Sequence, residues 1–161
     1  MITVQTQIDI AAPIELCFDL ARDIDIHSAT VWKHTREKAV AGVTSGLILA
    51  GETVTFEATH FLVRQRLTSE IVQMERPYVF VDRMLRGAFK SMQHTHEFQA
   101  VGGVTRMTDT LQFAAPFGLL GLAAERLVLA KYMRRFVEDR NRALKRIAER
   151  GGAAREADLK R

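Results

Sequence analysis

Disulfides and membrane-spanning segments are the first features that the sequence lacks. It contains one cysteine, Cys17, in 161 residues, so no disulfide can form within the chain. No run of about 18 apolar residues occurs, which excludes a membrane-spanning helix. Residues 2–10 alternate between polar and apolar instead of forming a basic stretch followed by an apolar one, so we expect no secretory signal. Together these absences favour a protein of the reducing cytoplasm.

Motifs for nucleotides and for covalent catalysis are also missing. The sequence has no glycine-rich phosphate loop, no nucleophile elbow and no pair of zinc-binding cysteines. We therefore expect no nucleotide cofactor. Cys17 lies beside Leu16 and Phe18 in an apolar stretch, which favours a buried, unreactive thiol over a reactive one.

The composition is that of an ordinary soluble domain. Hydrophobic residues make up 47% of the chain and charged residues 26%, and the length suits one domain with a core of its own. We expect a single domain over residues 1–150 and a flexible tail over residues 151–161.

The net charge of +4 does not indicate nucleic-acid binding. The basic residues gather in the last third of the chain, where acidic residues are interspersed among them, as on a solvated helix with ion pairs. No aromatic residues lie among them to stack on bases. We expect no nucleic-acid partner, whereas a weak attraction to an acidic protein or an anionic membrane stays open.

Apolar periodicity divides the chain into strands and helices. Residues 2–10 alternate as a strand does, and Pro13 followed by apolar residues three and four apart predicts a helix over residues 13–22. A second short helix or turn is expected over residues 23–28. Further strands are predicted over residues 32–41, 52–61, 63–76, 78–86, 90–101 and 104–114, and a long amphipathic helix over about 119–150, ended by Gly151-Gly152.

The order of these elements resembles the START-like, polyketide-cyclase-related superfamily. The segments that carry the resemblance are Ile10-Ala11-Ala12-Pro13-Ile14-Glu15, residues 80–89, His94-Thr95-His96-Glu97-Phe98 and residues 105–109. The resemblance implies an α+β helix-grip fold, in which a curved antiparallel sheet of about seven strands wraps around a long C-terminal helix and two short helices follow the first strand. It also implies a cavity between sheet and helix. It does not identify the occupant, because one fold serves many functions.

The Gly102-Gly103 pair predicts a two-residue hairpin, which sets the register of the last two strands. In that register His96 faces Asp109 on the apolar, inward side of the sheet. A carboxylate beside an imidazole fixes its tautomer and favours its charged form, so His96 and Asp109 are the candidate catalytic acid/base pair. A pair that orients a ligand and a purely structural pair are the alternatives.

The strand before this hairpin allows two registers. A three-residue loop over residues 87–89 places Asp82 opposite His94, whereas a two-residue loop turns Arg83 inward instead. We favour the first because it pairs Asp82 with His94. In the strand over residues 52–61, His60 shares a side with Phe56 and is either a cavity residue or a structural histidine.

A metal site is a weaker interpretation of the same residues. His94 and His96 alternate on one strand face near Asp109, and two histidines with one carboxylate can bind a transition metal. Most such pairs without a third ligand of certain geometry bind none. We therefore expect no metal and no cofactor.

The leading hypothesis is that the protein binds a small hydrophobic or amphipathic molecule between the sheet and the last helix. Apolar walls with few convergent polar groups are typical of such sites. Besides the pair His96 and Asp109, the expected ligand-binding residues are Phe56, His60, Asp82, Met92, His94, Phe98, Met107, Leu111, Met133 and Phe136.

Two further hypotheses stay open. One is a cyclase- or dehydratase-type enzyme that acts on a polyketide-like or aromatic substrate through His96 and Asp109. The other is a protein- or membrane-interaction module. The apolar loop over residues 42–51 is either a lid over the cavity or a segment packed on the core. The apolar stretch over residues 113–122 is either a rim of the cavity or a homodimer contact.

Overall fold

The computed structural model describes residues 1–114 and 122–159, and within the last helix the side chains of residues 128–151 only. The described helices are α1 (Ile14–Ala21), α2 (Ile24–Thr30) and α3 (Leu122–Leu159). The described strands are β1 (Ile2–Ile10), β2 (Lys38–Gly42), β3 (Thr53–His60), β4 (Val63–Glu75), β5 (Val79–Arg86), β6 (Ser91–Val101) and β7 (Val104–Ala114).

These strands form one curved antiparallel sheet in the order β1-β7-β6-β5-β4-β3-β2. β1 pairs with β7 although it comes first in the sequence, so α1 and α2 carry the chain from one edge of the sheet to the other. α3 packs against β1, α1 and α2 on the inward side. The α+β helix-grip fold expected from the sequence is confirmed.

The register expected for the last hairpin is confirmed as well. Gly102 and Gly103 have φ of 56° and 86°, the left-handed backbone that a two-residue hairpin turn requires. His96 lies opposite Asp109 across this hairpin. In the preceding pair Asp82 lies opposite His94, which is the first of the two registers that the sequence allowed.

The strand predicted over residues 32–41 is wrong in its first half. The chain forms a 3-10 turn over Lys33–Thr35 before β2 begins at Lys38. The Trp32 indole N–H donates to Asp139 Oδ2 of α3 at 3.1 Å, and the Thr35 hydroxyl donates to the Trp32 carbonyl at 2.6 Å. This segment is therefore held by the last helix and by its own turn rather than by the sheet.

The predicted end of the last helix is also wrong. The backbone of α3 stays helical through Gly151-Gly152 and continues to Leu159, since glycine adopts helical backbone as readily as left-handed backbone. The predicted start at residue 119 and most of the apolar stretch over residues 113–122 lie outside the described residues. Among the helices described, none is both long and apolar enough to span a membrane.

The apolar loop before β3 is partly packed on the core. Ile48 is 2% exposed, whereas Leu47 is 44% and Leu49 is 53% exposed. The Ile48 backbone N–H donates to the Arg22 carbonyl at 3.2 Å, and the Gly46 N–H donates to Asp25 Oδ2 at 2.9 Å. These bonds tie the loop to Arg22, which follows α1, and to the first turn of α2.

The inward side of the sheet is filled at one end and hollow at the other. Phe18 of α1 packs on Phe80 and Phe98, with ring centroids 5.4 Å apart in both pairs. Ile10, Met107 and Leu144 complete this packed end. α1 is eight residues long, so its side chains cover only part of the sheet. α3 packs on the β1 edge through a second cluster that includes Val4, Phe113 and Val137, and a cavity lies between it and the strands further along the sheet.

Gly42 provides a test of how closely β2 must approach β3. A Cβ atom at Gly42, whose φ is 71°, would lie 2.1 Å from the Thr53 carbonyl oxygen. We expect Gly42→Ala to lower the free energy of unfolding by more than the roughly 1–2 kcal/mol of left-handed backbone strain alone. Urea unfolding of the purified variant measures this loss.

Gly46→Ala is the matched control for that experiment. Gly46 has nearly the same φ, 72°, but nothing lies within 4 Å of the added Cβ. The control therefore carries the backbone strain without the collision. Equal losses in Gly42→Ala and Gly46→Ala would contradict the prediction.

Candidate functional site

A cavity of about 570 Å³ lies between the sheet and α3. This volume is within the range of sites that hold small molecules. Most of its wall is apolar. The apolar lining side chains include Val54, Phe56, Ala58, Phe80, Met92 and Leu111 from the sheet and Leu129, Met133, Phe136 and Val137 from α3.

A cluster of four titratable side chains lies at one wall of the cavity. We call Asp82, His94, His96 and Asp109 the His–Asp cluster. They share the inward side because residues two apart on a strand point the same way, and because the cross-strand registers set Asp82 opposite His94 and His96 opposite Asp109. Asp82, His94 and His96 line the cavity, whereas Asp109 lies behind the two histidines.

Asp109 is the centre of this cluster. Its Oδ1 lies 2.5 Å from Nδ1 of His96 and 3.1 Å from Nε2 of His94. Both distances are those of ion pairs, so this carboxylate oxygen interacts directly with each imidazole. The other oxygen, Oδ2, accepts a hydrogen bond from Asn141 Nδ2 of α3 at 2.6 Å, and the same amide lies 3.3 Å from the Thr6 hydroxyl of β1.

His96 lies between two carboxylates. Its Nδ1 faces Asp109, and its Nε2 is 3.4 Å from Asp82 Oδ2. One face of its ring stacks on Phe80, with centroids 4.2 Å apart, and the His94 ring centroid is 3.9 Å away. The His96 side chain is 4% exposed and that of His94 is 13% exposed, so His94 is the more accessible of the two.

The environment moves the pKa values of the two histidines in opposite directions. Burial lowers the pKa of His96, but the charges of Asp109 and then the contact with Asp82 outweigh it, so the pKa is raised. Burial and the charge of His96 lower the pKa of His94, and Asp109 offsets this only in part. These shifts favour the charged form of His96 and the neutral form of His94.

Both carboxylates of the cluster stay ionised. Burial would raise the pKa of Asp109, but the charge of His96 and the contact with His94 hold it well below its ordinary value. Burial also opposes ionisation of Asp82, and the contact with His96 together with the charge of His94 lowers its pKa. The imidazoles of His94 and His96 thus stabilise both buried carboxylates.

A second polar group of the cavity wall joins His27 and Glu37. Nε2 of His27 lies 2.8 Å from Glu37 Oε1, and the His27 ring stacks on Phe56 with centroids 4.3 Å apart. Burial raises the pKa of Glu37, but the hydrogen bond from His27 outweighs it and the net shift is downward. Nδ1 of His60 lies 2.8 Å from the Tyr132 hydroxyl on the same wall.

α3 contributes a buried arginine to the cavity wall. Nη2 of Arg140 donates to the Ala21 carbonyl at 3.2 Å, and its buried Nε has no partner among the described residues. Sequence analysis did not identify Arg140 or Asn141 as site residues. The helical spacing was the available signal, because these residues follow Val137 by three and four positions on the buried face.

Most of the residues expected at the ligand site line the cavity. They are Phe56, His60, Asp82, Met92, His94, His96, Leu111, Met133 and Phe136. Phe98 and Met107, expected there too, lie in the packed core instead. They share the inward side of the sheet, but they are near the Gly102-Gly103 hairpin, where Phe18 of α1 covers that side.

The described residues also contain a group with the spacing of metal ligands. It consists of Asp82, His94 and His96, with one ligand atom from each within 4.8 Å of the other two. The third ligand is thus Asp82, whereas the sequence suggested Asp109 for that position.

The comparisons with known proteins agree with this fold and cavity. Residues 1–149 match the family model described as polyketide cyclase / dehydrase and lipid transport, and the chain belongs to this family. The family and the fold fit a ligand-binding cavity. No curated protein matches the sequence significantly.

Solved structures with low sequence identity share the fold. TTHA0849 from Thermus thermophilus is 21% identical with a TM-score of 0.70, over 89% of this chain and 94% of that one. A START superfamily protein from Mycobacterium smegmatis is 12% identical with a TM-score of 0.68, over 92% of this chain and 97% of that one. Major latex-like protein 151 from Panax ginseng is 13% identical with a TM-score of 0.63, over 91% and 96%.

The buried charge of Asp109 leads to a prediction about stability. Asp109→Asn removes the negative charge beside His96 and leaves that imidazole in a poorly compensated, buried position. We expect the free energy of unfolding to fall by on the order of 3 kcal/mol, as when one partner of a buried ion pair is removed. Chemical denaturation at neutral pH measures the loss.

Asp9→Asn is the control for this substitution. Asp9 pairs with Arg106 at 2.8 Å on the exposed side of the neighbouring strands β1 and β7. Water screens an exposed pair of this kind, so its loss should change stability much less. An Asp109→Asn protein as stable as Asp9→Asn would show that the cluster does not hold the sheet and α3 together.

Proposed function

We propose that the protein binds a small hydrophobic or amphipathic molecule in the cavity between the sheet and α3. The observation that carries this proposal is the cavity itself. About 570 Å³ stays open, although phenylalanine and methionine side chains surround it. Protein interiors usually close such spaces, because each unfilled volume forfeits packing contacts.

The apolar wall supplies the affinity in this proposal. A ligand that buries about 300 Å² of apolar surface gains roughly 7 kcal/mol before the entropy of association is subtracted. Apolar contact alone therefore gives modest binding. Polar contacts then decide which amphipathic molecule is held.

The His–Asp cluster is the strongest polar feature available to such a ligand. His94 lines the cavity and directs only one ring nitrogen at Asp109, so the other is available to a ligand hydroxyl or carbonyl. Asp82 adds a carboxylate on the same wall. A molecule with an apolar body and one polar end matches this division of the cavity.

The family supports the general part of the proposal. Its description joins polyketide cyclisation or dehydration with lipid transport, and both need a cavity that encloses an apolar molecule. The similar solved structures are less than 25% identical and therefore bear on the fold alone. The expected homodimer and cytoplasmic location stay predictions.

Filling the cavity should remove binding. Ala58 lies on β3 with its side chain at the cavity wall, so Ala58→Phe would project an aromatic ring into the open space. We expect the variant to bind the neutral apolar fluorophore N-phenyl-1-naphthylamine at least tenfold more weakly than the unaltered protein does. Fluorescence titration measures both dissociation constants.

Ala100→Phe provides the matched control, because Ala100 is an exposed alanine on β6. It adds the same ring to a strand of the same sheet without entering the cavity, and its affinity for the fluorophore should equal that of the unaltered protein. Absence of saturable binding in the unaltered protein, or equal loss in both variants, would contradict the proposal.

Acid/base catalysis of the cyclase or dehydratase type is the second candidate function. The observation that favours it is a pair of imidazoles backed by a buried carboxylate at the wall of a cavity large enough for a substrate. Both ring nitrogens of His96 face carboxylates, whereas one nitrogen of His94 does not. His94 is therefore the better placed of the two to exchange a proton with a substrate.

Protein purified from its native host allows the binding function and the enzymatic function to be distinguished. The protein is purified gently, weighed by native mass spectrometry, and its bound compound is extracted and returned to fresh protein. Release of the same compound unchanged supports a binding protein. Conversion by the unaltered protein but not by His94→Gln supports an enzyme, and conversion by both would exclude His94 as its acid or base.

A further inference from the structure

The His–Asp cluster has the composition and spacing of a metal site. One ligand atom each from Asp82, His94 and His96 lies within 4.8 Å of the other two. Metal–ligand distances of about 2.0–2.2 Å place ligand atoms no more than about 4.4 Å apart, so at most a small movement of these side chains would bring all three onto one ion. We infer that Asp82, His94 and His96 bind one divalent transition-metal ion.

Asp109 has the position of a carboxylate that orients metal-binding histidines. It faces Nδ1 of His96 at 2.5 Å and Nε2 of His94 at 3.1 Å, so it engages one nitrogen of each ring. The other nitrogen of each ring is left for a metal. Histidines that bind metals usually direct their second ring nitrogen at a carboxylate, which fixes the tautomer.

Asp109 is itself held in place by α3 and β1. Asn141 Nδ2 donates to its second oxygen at 2.6 Å and lies 3.3 Å from the Thr6 hydroxyl. The carboxylate therefore has little freedom to turn away from the two histidines. The support behind the proposed ligands is built from three separate elements, β1, β7 and α3.

The donor set indicates the class of metal. Two imidazoles and one carboxylate suit zinc, iron, cobalt or nickel, whereas calcium and magnesium favour sites made of oxygen. Charge indicates that the ion is divalent. Asp82 and Asp109 bring two negative charges into a buried region, and a divalent cation between neutral imidazoles would balance them.

The site would be open on one side. Asp82, His94 and His96 all line the cavity, so the remaining coordination positions of the ion would face that space. Three protein ligands with an open position are the arrangement of catalytic metal sites, whereas structural sites are closed by four. An oxygen atom of the cavity's occupant can approach the ion there. This metal site does not depend on the identity of that occupant.

Cobalt(II) titration tests the inference directly. The full chain is freed of metal with a chelator and titrated with Co²⁺, whose visible absorption reports nitrogen and carboxylate ligands. We expect saturation at one ion per chain. Asp82→Asn and His94→Gln should each weaken binding by at least tenfold, and Asp109→Asn should weaken it by about 10–100-fold, as expected for an orienting residue.

His34→Gln is the control, because His34 is an exposed histidine outside the cavity. Circular dichroism of every variant shows whether it is folded, so that lost binding is not confused with lost structure. Asp82→Asn and His94→Gln keep the test decisive if Asp109→Asn unfolds.

The outcomes separate this inference from the proposed function. Saturable Co²⁺ binding that Asp82→Asn and His94→Gln weaken and His34→Gln does not would support the metal site, whether or not an apolar fluorophore binds. No saturable binding, or binding that only His34→Gln removes, would overturn it. Fluorophore binding by a protein that takes no Co²⁺ would leave the cavity proposal intact and refute the metal site alone.

Discussion

The buried carboxylate of Asp109 is the constraint on which the rest of the site depends. It lies opposite Thr6 on one side and opposite His96 on the other, so one row of side chains crosses β1, β7 and β6. Asn141 joins that row to α3. A charge in this position is tolerated only when it is paired, so the sheet, the helix and the histidines must adopt their positions together.

The cavity follows from the unequal lengths of the covering helices. α1 is a short helix whose Phe18 closes the inward side near the last hairpin, and α3 packs directly on β1 while the cavity lies between it and the strands further along the sheet. The His–Asp cluster lies at the boundary between these two regions, with Phe80 stacked on His96. Packed side chains therefore exclude water from one side of the cluster, and its other side faces the cavity. Electrostatic contacts with a bound molecule are strengthened there.

Local rules were sufficient to predict the pairing of β6 with β7, whereas they left the pairing of β5 with β6 between two registers. Gly102-Gly103 determines one turn, and the alternation of side chains then places His94, His96 and Asp109 on one side of the sheet. The sequence predictions failed where packing between residues far apart in the chain determines the structure. Trp32 is drawn to α3, Phe98 and Met107 are covered by α1, and Arg140 is buried within a helix whose charges suggested solvent. No local pattern reports which helix covers which part of a sheet.

All three candidate chemistries would use the same ring nitrogens, those that Asp109 does not engage. Asp109 occupies one nitrogen of each histidine, so the remaining nitrogens and Asp82 are what the cavity presents. A ligand hydroxyl, a substrate proton and a metal ion would all compete for these atoms. Nε2 of His96 already lies 3.4 Å from Asp82, whereas the second ring nitrogen of His94 faces no carboxylate. That nitrogen of His94 is therefore the atom for which a ligand, a substrate proton and a metal ion compete. What occupies that nitrogen decides which chemistry the cavity supports.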